Sequence, residues 1–297
     1  MILAQKEPLD KLLDEAHQLS YHSIKETNTF KVYLFIDFVN NRLKIEDYTC
    51  ENYDDFVGFL ETTAHKHNLY KIIIVAKQKD WKALFVRDFL LEALHPSFFK
   101  GEPGFHLAKF TNIERQQSQH RLIEKDLLAK VKESPHTNKD LPSEYTIKTA
   151  DPVSIPELSN LYTSVFSTYP SPMNDHTYLE KIMQKSSIFK IMLYQNKIIS
   201  AASIDVDQRT SSAELTDCAT IKKHSGKGLM SHLVKSLESE AKQRKLITLY
   251  SIARASSIGM NSVFYHNTYS YYGCLINNCH ICGQLENMNI WSKRINE

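Results

Sequence analysis

Apolar residues in the first third of the chain follow two alternating periods. Phe30 to Val39 and Leu43 to Tyr48 are rich in β-branched and aromatic residues, and Asn40-Asn41 between them tolerates the positive φ of a tight turn. This pair predicts a hairpin. Phe56, Val57, Phe59, Leu60 and Ala64 then recur at helical spacing within Asp54 to Lys66, and Lys71 to Ala76 is a continuous apolar run of strand length. Trp81, Leu84, Phe85, Phe89 and Leu90 again fit a helix, ended by His95-Pro96, and Phe105 to Phe110 predicts a closing strand. The expected order is ββαβαβ. Ile123, Leu127, Leu128 and Val131 make Ile113 to Glu133 a connecting helix. Ser134 to Ser143, with two prolines among polar residues, is a linker.

Beyond the linker, Tyr145 to Thr149 predicts a strand. Asp151-Pro152 caps a helix carrying Ile155, Leu158, Leu161, Tyr162 and Phe166, which ends at Tyr169-Pro170-Ser171-Pro172. A short helix at Tyr178 to Met183 precedes a meander of Ile188 to Tyr194, Lys197 to Val206 and Ala213 to Ile221. Leu229, Met230, Leu233, Val234, Leu237 and Ala241 give the next helix one apolar face. Leu246 to Ala253 is a strand, Ile258 to Tyr269 a helix, and Gly273 to Asn278 and Gln284 to Trp291 are final strands, so the order is βααβββαβαββ. The fold class is α/β (α+β): a mixed sheet flanked by helices at 141–297, preceded by a smaller α/β domain at 1–140.

Composition narrows the partners. The chain has 297 residues, 42% hydrophobic and 24% charged, enough for two domains with real cores. Lys and Arg number 36 against 34 Asp and Glu, a net charge of +2, so no global field selects nucleic acid or a membrane surface. A small molecule or a protein is the default partner. The start, Met1-Ile2-Leu3-Ala4-Gln5-Lys6-Glu7, is interrupted by charge at once, unlike a secretory signal, and apolar runs fall short of a bilayer span. The expected location is cytoplasmic. Five cysteines without such a signal read as reduced thiols. Cys279-His280-Ile281-Cys282, with Cys274 nearby, has the spacing of half a zinc site but no second pair, and in a strand pair such cysteines serve as small hydrophobes. No metal is expected.

The candidate chemistry begins at Ser225-Gly226-Lys227-Gly228-Leu229-Met230, between the strand ending at Ile221 and the amphipathic helix. Two of the chain's eight glycines lie here within three positions. A glycine turn opening a helix presents unpaired N–H groups and the positive dipole end to an anion. The first half has no such turn, and Gly101-Glu102-Pro103-Gly104 reads as an ordinary turn.

Strand order plus a pyrophosphate-sized cradle resembles the GNAT superfamily of acetyl-CoA-dependent N-acetyltransferases. The family motif is Arg or Gln, two residues, Gly, one residue, Gly or Ala. Aligned on Gly228 it meets Ser225 and Met230, two departures, while Lys223, Gly226 and Gly228 fit a register two residues earlier. Longer strings resemble the β-lysine N-acetyltransferase family: Ala213 to Thr220, Ile252-Ala253-Arg254-Ala255, Gly259-Met260-Asn261, Leu275 to Asn278, Glu286 to Trp291 and Tyr169-Pro170-Ser171-Pro172. Asn41 to Lys44, Asp80-Trp81 and Lys100-Gly101-Glu102 extend the likeness into the first half.

The resemblance implies acetyl-CoA as co-substrate, held by Thr220, Ile221, Ser225, Gly226, Lys227, Gly228, Leu229 and Met230, chiefly through backbone N–H groups. It also implies a small amino acid as acceptor, β-lysine first, and a compatible solute as product. An amine attacks a thioester only when neutral, so the site must accept a proton. On a regular strand Glu214, Thr216, Cys218 and Thr220 share one face and Asp217 takes the other, unless a bulge intervenes. Glu214 is the first choice for proton relay. Asp217 is an alternative relay or an ammonium ligand, and for each a structural role weighs equally. The family's usual general acid, a tyrosine on its fourth helix, falls on Phe264; Tyr265 beside it reads as packing or surface. Arg254, Asn261, Asn277 and Asn278 are candidate donors to the acceptor, with at most one of the adjacent asparagines facing the site. Tyr169 is either a lid over it or a helix-ending aromatic. Cys218 has no neighbouring His in sequence and is not read as a nucleophile. Other readings are an acetyltransferase for another small amine, or a non-catalytic acyl-CoA-binding or interaction protein. The first half is expected to dock on the second and shape the acceptor pocket.

Overall fold

The computed structural model describes residues 15–135 and 140–296. The start of the chain read above and part of the expected linker lie outside them. The described strands form one sheet of 13 in the order β1-β2-β3-β4-β6-β5-β12-β13-β11-β10-β9-β8-β7. The first half supplies β1 (Tyr21–Glu26), β2 (Phe30–Asp37), β3 (Arg42–Cys50), β4 (Lys71–Lys77), β5 (Leu90–Phe99) and β6 (Glu102–Phe110). Its helices are α1 (Tyr53–Lys66), the short α2 (Trp81–Phe85) and α3 (Ile113–Gln116), and α4 (Arg121–Glu133). The second half supplies β7 (Tyr145–Thr149), α5 (Ile155–Val165), α6 (His176–Lys185), β8 (Ser187–Tyr194), β9 (Lys197–Asp207), β10 (Ser212–Thr220), α7 (Leu229–Gln243), β11 (Thr248–Arg254), α8 (Ile258–His266), β12 (Ser270–Ile281) and β13 (Gln284–Arg294).

Each half has its own core. In the first, Phe56, Val57, Leu60 and Ala64 of α1 pack on Leu34, Leu43, Ile72 and Leu107. In the second, Leu233, Val234 and Leu237 of α7 cover one sheet face at Ile204, Leu215 and Leu249. Leu158, Tyr162 and Leu179 of α5 and α6 cover the other at Phe189, Ile191 and Ala201. The halves join where β5 meets β12, at Ala93 and Gly273. Gly273 has a φ of 144°, and a Cβ there would run into the backbone of Glu92 and Ala93. Only glycine lets these strands close.

Two sequence expectations change in the first half. The apolar residues read as a helix up to His95-Pro96 divide between α2 and β5, so the order runs ββαβαββ after an unforeseen edge strand, β1. The cause is tertiary: β5 pairs with β6 over Leu90 to Phe99, with Lys100 and Gly101 in the left-handed turn between them. The connecting helix is likewise broken into α3 and α4. Elsewhere the meander, the hairpin at Asn40-Asn41 and the β12–β13 pair stand as expected.

The sheet also curls back on itself. Asp47 of β3 pairs with Arg209 of the β9–β10 turn at 3.6 Å, and the Lys100 N–H donates to the Thr210 carbonyl at 2.7 Å. Strand β3 therefore meets the N-terminal end of β10, although many strands separate them in the sheet.

Candidate active site

Strands β10 and β11 are parallel, and they pair only at Ser212 to Glu214 with Thr248 to Tyr250 before separating. The gap opens into a groove of about 460 Å³, lined by Cys218 and Thr220 of β10, Arg254 of β11, the turn at Ser225, Gly226 and Gly228, and Met260 of α8. Gly226 and Gly228 have φ of 76° and 80°, and the space where a Cβ would stand is open at both. Helix α7 starts at Gly228 with no side-chain cap and no acidic residue in its first turn. Its first N–H groups have no intrahelical acceptor and face an anion-sized opening at the positive dipole end. These features fit the pyrophosphate of a coenzyme A thioester.

Side chains play a smaller part in this cradle. Leu229 and Met230 are buried in the core, and Ile221 packs against two cores. The Lys227 ammonium turns back to donate to the Tyr145 hydroxyl at 3.2 Å, and Tyr145 also bonds His224 at 3.0 Å. Thr220 shares a hydrogen bond with Ser200, and Ser225 donates to the Ile221 carbonyl at 3.3 Å. So of the eight cradle residues named from sequence, the groove is lined by Thr220, Ser225, Gly226, Gly228, Leu229 and Met230.

Two carboxylates lie on β10 outside the groove lining: Glu214 where the pairing with β11 ends, and Asp217 three residues on. Glu214 lies at the last paired position, between Asp205 on β9 and Tyr250 on β11. Two positions on, the ladder with β9 slips between Thr216 and Ala219, and Asp217 adopts a φ of 51°. This bulge turns Asp217 away from the face that regular alternation gives it. Its carboxylate accepts from Ser203, at 2.7 Å, and from Tyr169, at 3.2 Å, and its carbonyl accepts from Tyr162 at 2.7 Å. Ser203 and Asp205 share a face of β9, and Asp205 is opposite Glu214, so the bulge gathers three acids on one side of the sheet.

Burial pushes both carboxyls up. Glu214 rises to about 7, with Asp205 and Asp217 adding to burial and Lys44 and Arg42 opposing it. Asp217 rises to about 6, burial outweighing the hydrogen bonds from Ser203 and Tyr169. An acid with a pKa near neutrality is suited to exchanging protons. Burial and Asp217 push the Cys218 thiol far up, so it stays protonated in the groove wall.

The remaining candidates fall elsewhere. Asn261 donates to the carbonyls of Arg254 and Ser257 and accepts from Asn289 and Trp291, which ties the start of α8 to the sheet. Asn277 donates to the carbonyls of Arg115 and Gln117, and Asn278 is buried against Cys279. Both sit where β12 bulges beside the first half. Arg254 lines the groove and lies 3.7 Å from Glu286. Phe264 is fully buried in the core, and Tyr265 donates to the Lys132 carbonyl at 2.7 Å, away from the carboxylates. Cys279 contacts Arg42, while Cys282 is exposed in the following turn. Among the described residues no three His, Cys, Asp or Glu side chains are placed so that they could hold one metal ion, and no helix is long and apolar enough to cross a membrane. The sequence reading missed Ser203, Asp205 and Tyr250; the alternation of polar residues in β9 was the available signal.

An opened parallel pair, an uncapped glycine turn and the groove between them are the features an enzyme of the acyl-transferring class needs to hold a coenzyme A thioester. Residues 155–264 match the acetyltransferase (GNAT) family. N-acetyltransferase YodP of Bacillus subtilis is 36% identical over 233 residues, covering 78% of this chain and 85% of that protein. A β-lysine N(6)-acetyltransferase of Methanococcus maripaludis is 32% identical over 216 residues, 71% of this chain and 78% of that one. Another from Methanosarcina mazei is 35% identical over 155 residues, 52% of this chain and 57% of that one. The chain belongs to the GNAT acetyltransferase family and is an N-acetyltransferase.

Proposed function

We propose that this enzyme transfers the acetyl group of acetyl-CoA to an amine of a small amino acid, β-lysine foremost, in the cytoplasm, where the product serves as a compatible solute. The observation that carries the reading is the parting of β10 from β11 directly beyond Glu214 and Tyr250. A groove with an anion cradle at one end thereby leads toward a carboxyl at the other. The relatives named for β-lysine acetylation favour the acceptor.

Acetyl-CoA supplies the activated acyl group. Backbone N–H groups of Gly228, Leu229 and Met230 hold its pyrophosphate, and the walls at Cys218, Thr220 and Arg254 flank its arm. Glu214 takes the proton that the attacking amine releases, which its pKa of about 7 permits at neutral pH, while the acyl C–S bond breaks and the thiolate leaves, gaining its proton from water. Asp217, fixed by Ser203 and Tyr169, holds a second ammonium of the acceptor. Strand divergence leaves backbone N–H groups of β10 without ladder partners, and these can stabilise the developing oxyanion.

Purified protein should show a higher thermal midpoint with acetyl-CoA and should release free thiol when β-lysine is added. Stabilisation without thiol release from any small amine would replace this reading with acyl-CoA binding alone.

A further inference from the structure

The acidic cluster at the vertex, where β10 parts from β11, explains how ammonium groups are held, but an amino-acid acceptor also carries a carboxylate. Arg254, the candidate from sequence, stands at the C-terminal end of β11 beside the cradle and close to Glu286. The other cations near Glu214 come from the first half of the chain. Arg42 and Lys44 project from β3 on the face opposite Leu43 and Ile45, which fill the first core. Arg42 is already engaged, donating to Asp37 at 2.8 Å and to the Asn278 carbonyl at 3.0 Å. Lys44 is exposed and has no hydrogen-bond or ion-pair partner among the described residues.

The curl of the sheet decides where Lys44 points its charge. The Asp47–Arg209 pair and the Lys100–Thr210 hydrogen bond draw β3 and the β5–β6 turn against the N-terminal end of β10. Behind the vertex, His95 and Phe98 of β5 pack on the Tyr250 ring at centroid distances of 5.0 and 5.6 Å. The first half thus stands beside Tyr250 and Glu214, its neighbour across the β10–β11 ladder, with Asp205 opposite Glu214 on β9. Lys44 is close enough to act on Glu214 through its charge, yet no ion pair joins them among the described residues. Its distance from the cradle, at the other end of β10, removes it from the phosphates.

Resting on the transferase reading above, we propose that Lys44 is the carboxylate anchor of the acceptor, so that the first half contributes directly to substrate recognition. An acceptor bound between β3 and the start of β10 places its carboxylate at Lys44 and its amines among Glu214, Asp205 and Asp217. Such a site selects a diamino acid over a diamine of the same length, because without a carboxylate Lys44 is left facing the substrate's own positive charge.

The test compares β-lysine with the diamine in which hydrogen replaces its carboxylate, in wild type, Lys44→Gln and Lys44→Arg. Lys44 is exposed, so neither substitution threatens folding. Lys44→Gln should raise the KM for β-lysine by about tenfold or more, the scale of one lost charge-assisted hydrogen bond. The KM values for the diamine and acetyl-CoA should hold within about twofold, and Lys44→Arg should recover most of the loss. If Lys44 acted only by tuning Glu214, both acceptors would lose equally and the pH profile would move for both; that result overturns the proposal. So does an unchanged ratio, or the same carboxylate-selective loss in Arg254→Gln instead. Wild-type protein that acetylates no amine at all would sink the transferase reading itself, whereas turnover with an unaltered ratio sinks Lys44 alone.

Discussion

Two units of this sheet share one plan and differ in use. In each, a strand leads through a helix to a parallel neighbour: β3 through α1 to β4, and β10 through α7 to β11. Both pairs keep register for only three positions, Arg42 to Lys44 with Lys71 to Ile73 and Ser212 to Glu214 with Thr248 to Tyr250. In the first unit the gap is filled. Tyr48 of β3 and Tyr53 of α1 both donate to Asp80, at 2.9 and 2.6 Å. Its helix start is closed as well, since the Asn52 side chain accepts from the N–H groups of Asp54 and Asp55, two acids that repel an anion. In the second unit the turn is glycine, the cap is absent and the first turn carries no acid. The strands diverge in both units, and on the proposed reading the residues at the helix start decide whether the gap admits a phosphate.

The comparison can be broken at several strengths. Glu214→Gln should lower kcat/KM by about 10²- to 10⁴-fold, the usual range for removing a general base. It should do so while thermal stability above neutral pH rises. The folded-state pKa of Glu214 is raised from 4.5 to about 7, so its stabilising contribution is present below 4.5 and lost as pH climbs through 7. Gln, carrying no charge, avoids that loss. Gly228→Asp gives α7 the acidic start that α1 has, and Asp tolerates the left-handed backbone better than most residues. The acetyl-CoA KM should rise by about tenfold or more, with the β-lysine KM little changed. The reciprocal change, Asn52→Ala, should cost about 1 kcal/mol in denaturant unfolding and leave acetyl-CoA binding alone. An altered acetyl-CoA KM in Asn52→Ala would mean that the first unit is not closed.

Much of the second half was legible because its signals are local. The meander, the glycine turn and the α7 stripe follow one another directly along the chain, and patterning reports such elements well. The first half hid β5 because Phe89 and Leu90 continue a helical spacing from Trp81, and only pairing with β6 separates them. Edge strand β1 was missed because Tyr21 to Glu26 is almost wholly exposed and has no buried face to leave a pattern. At the site, the position of Glu214 on its strand and of the glycine turn before its helix was readable, but the face of Asp217 was not. Its orientation depends on a bulge, and the bulge is held by Ser203 of β9, Tyr162 of α5 and Tyr169 of the loop after it. The approach of Lys44 was further out of reach, since it follows from the curl of a sheet that joins both halves at Gly273.

The central claim is that Glu214 accepts the amine's proton where the pairing of β10 with β11 ends. Thiol release from acetyl-CoA and β-lysine, followed across pH in wild type and Glu214→Gln, tests it most directly. The predicted wild-type kcat/KM falls on the acid side with an apparent pKa near 7, and that limb vanishes in the residual activity of Glu214→Gln. A limb that persists unchanged in Glu214→Gln, or a variant as active as wild type, would contradict the assignment.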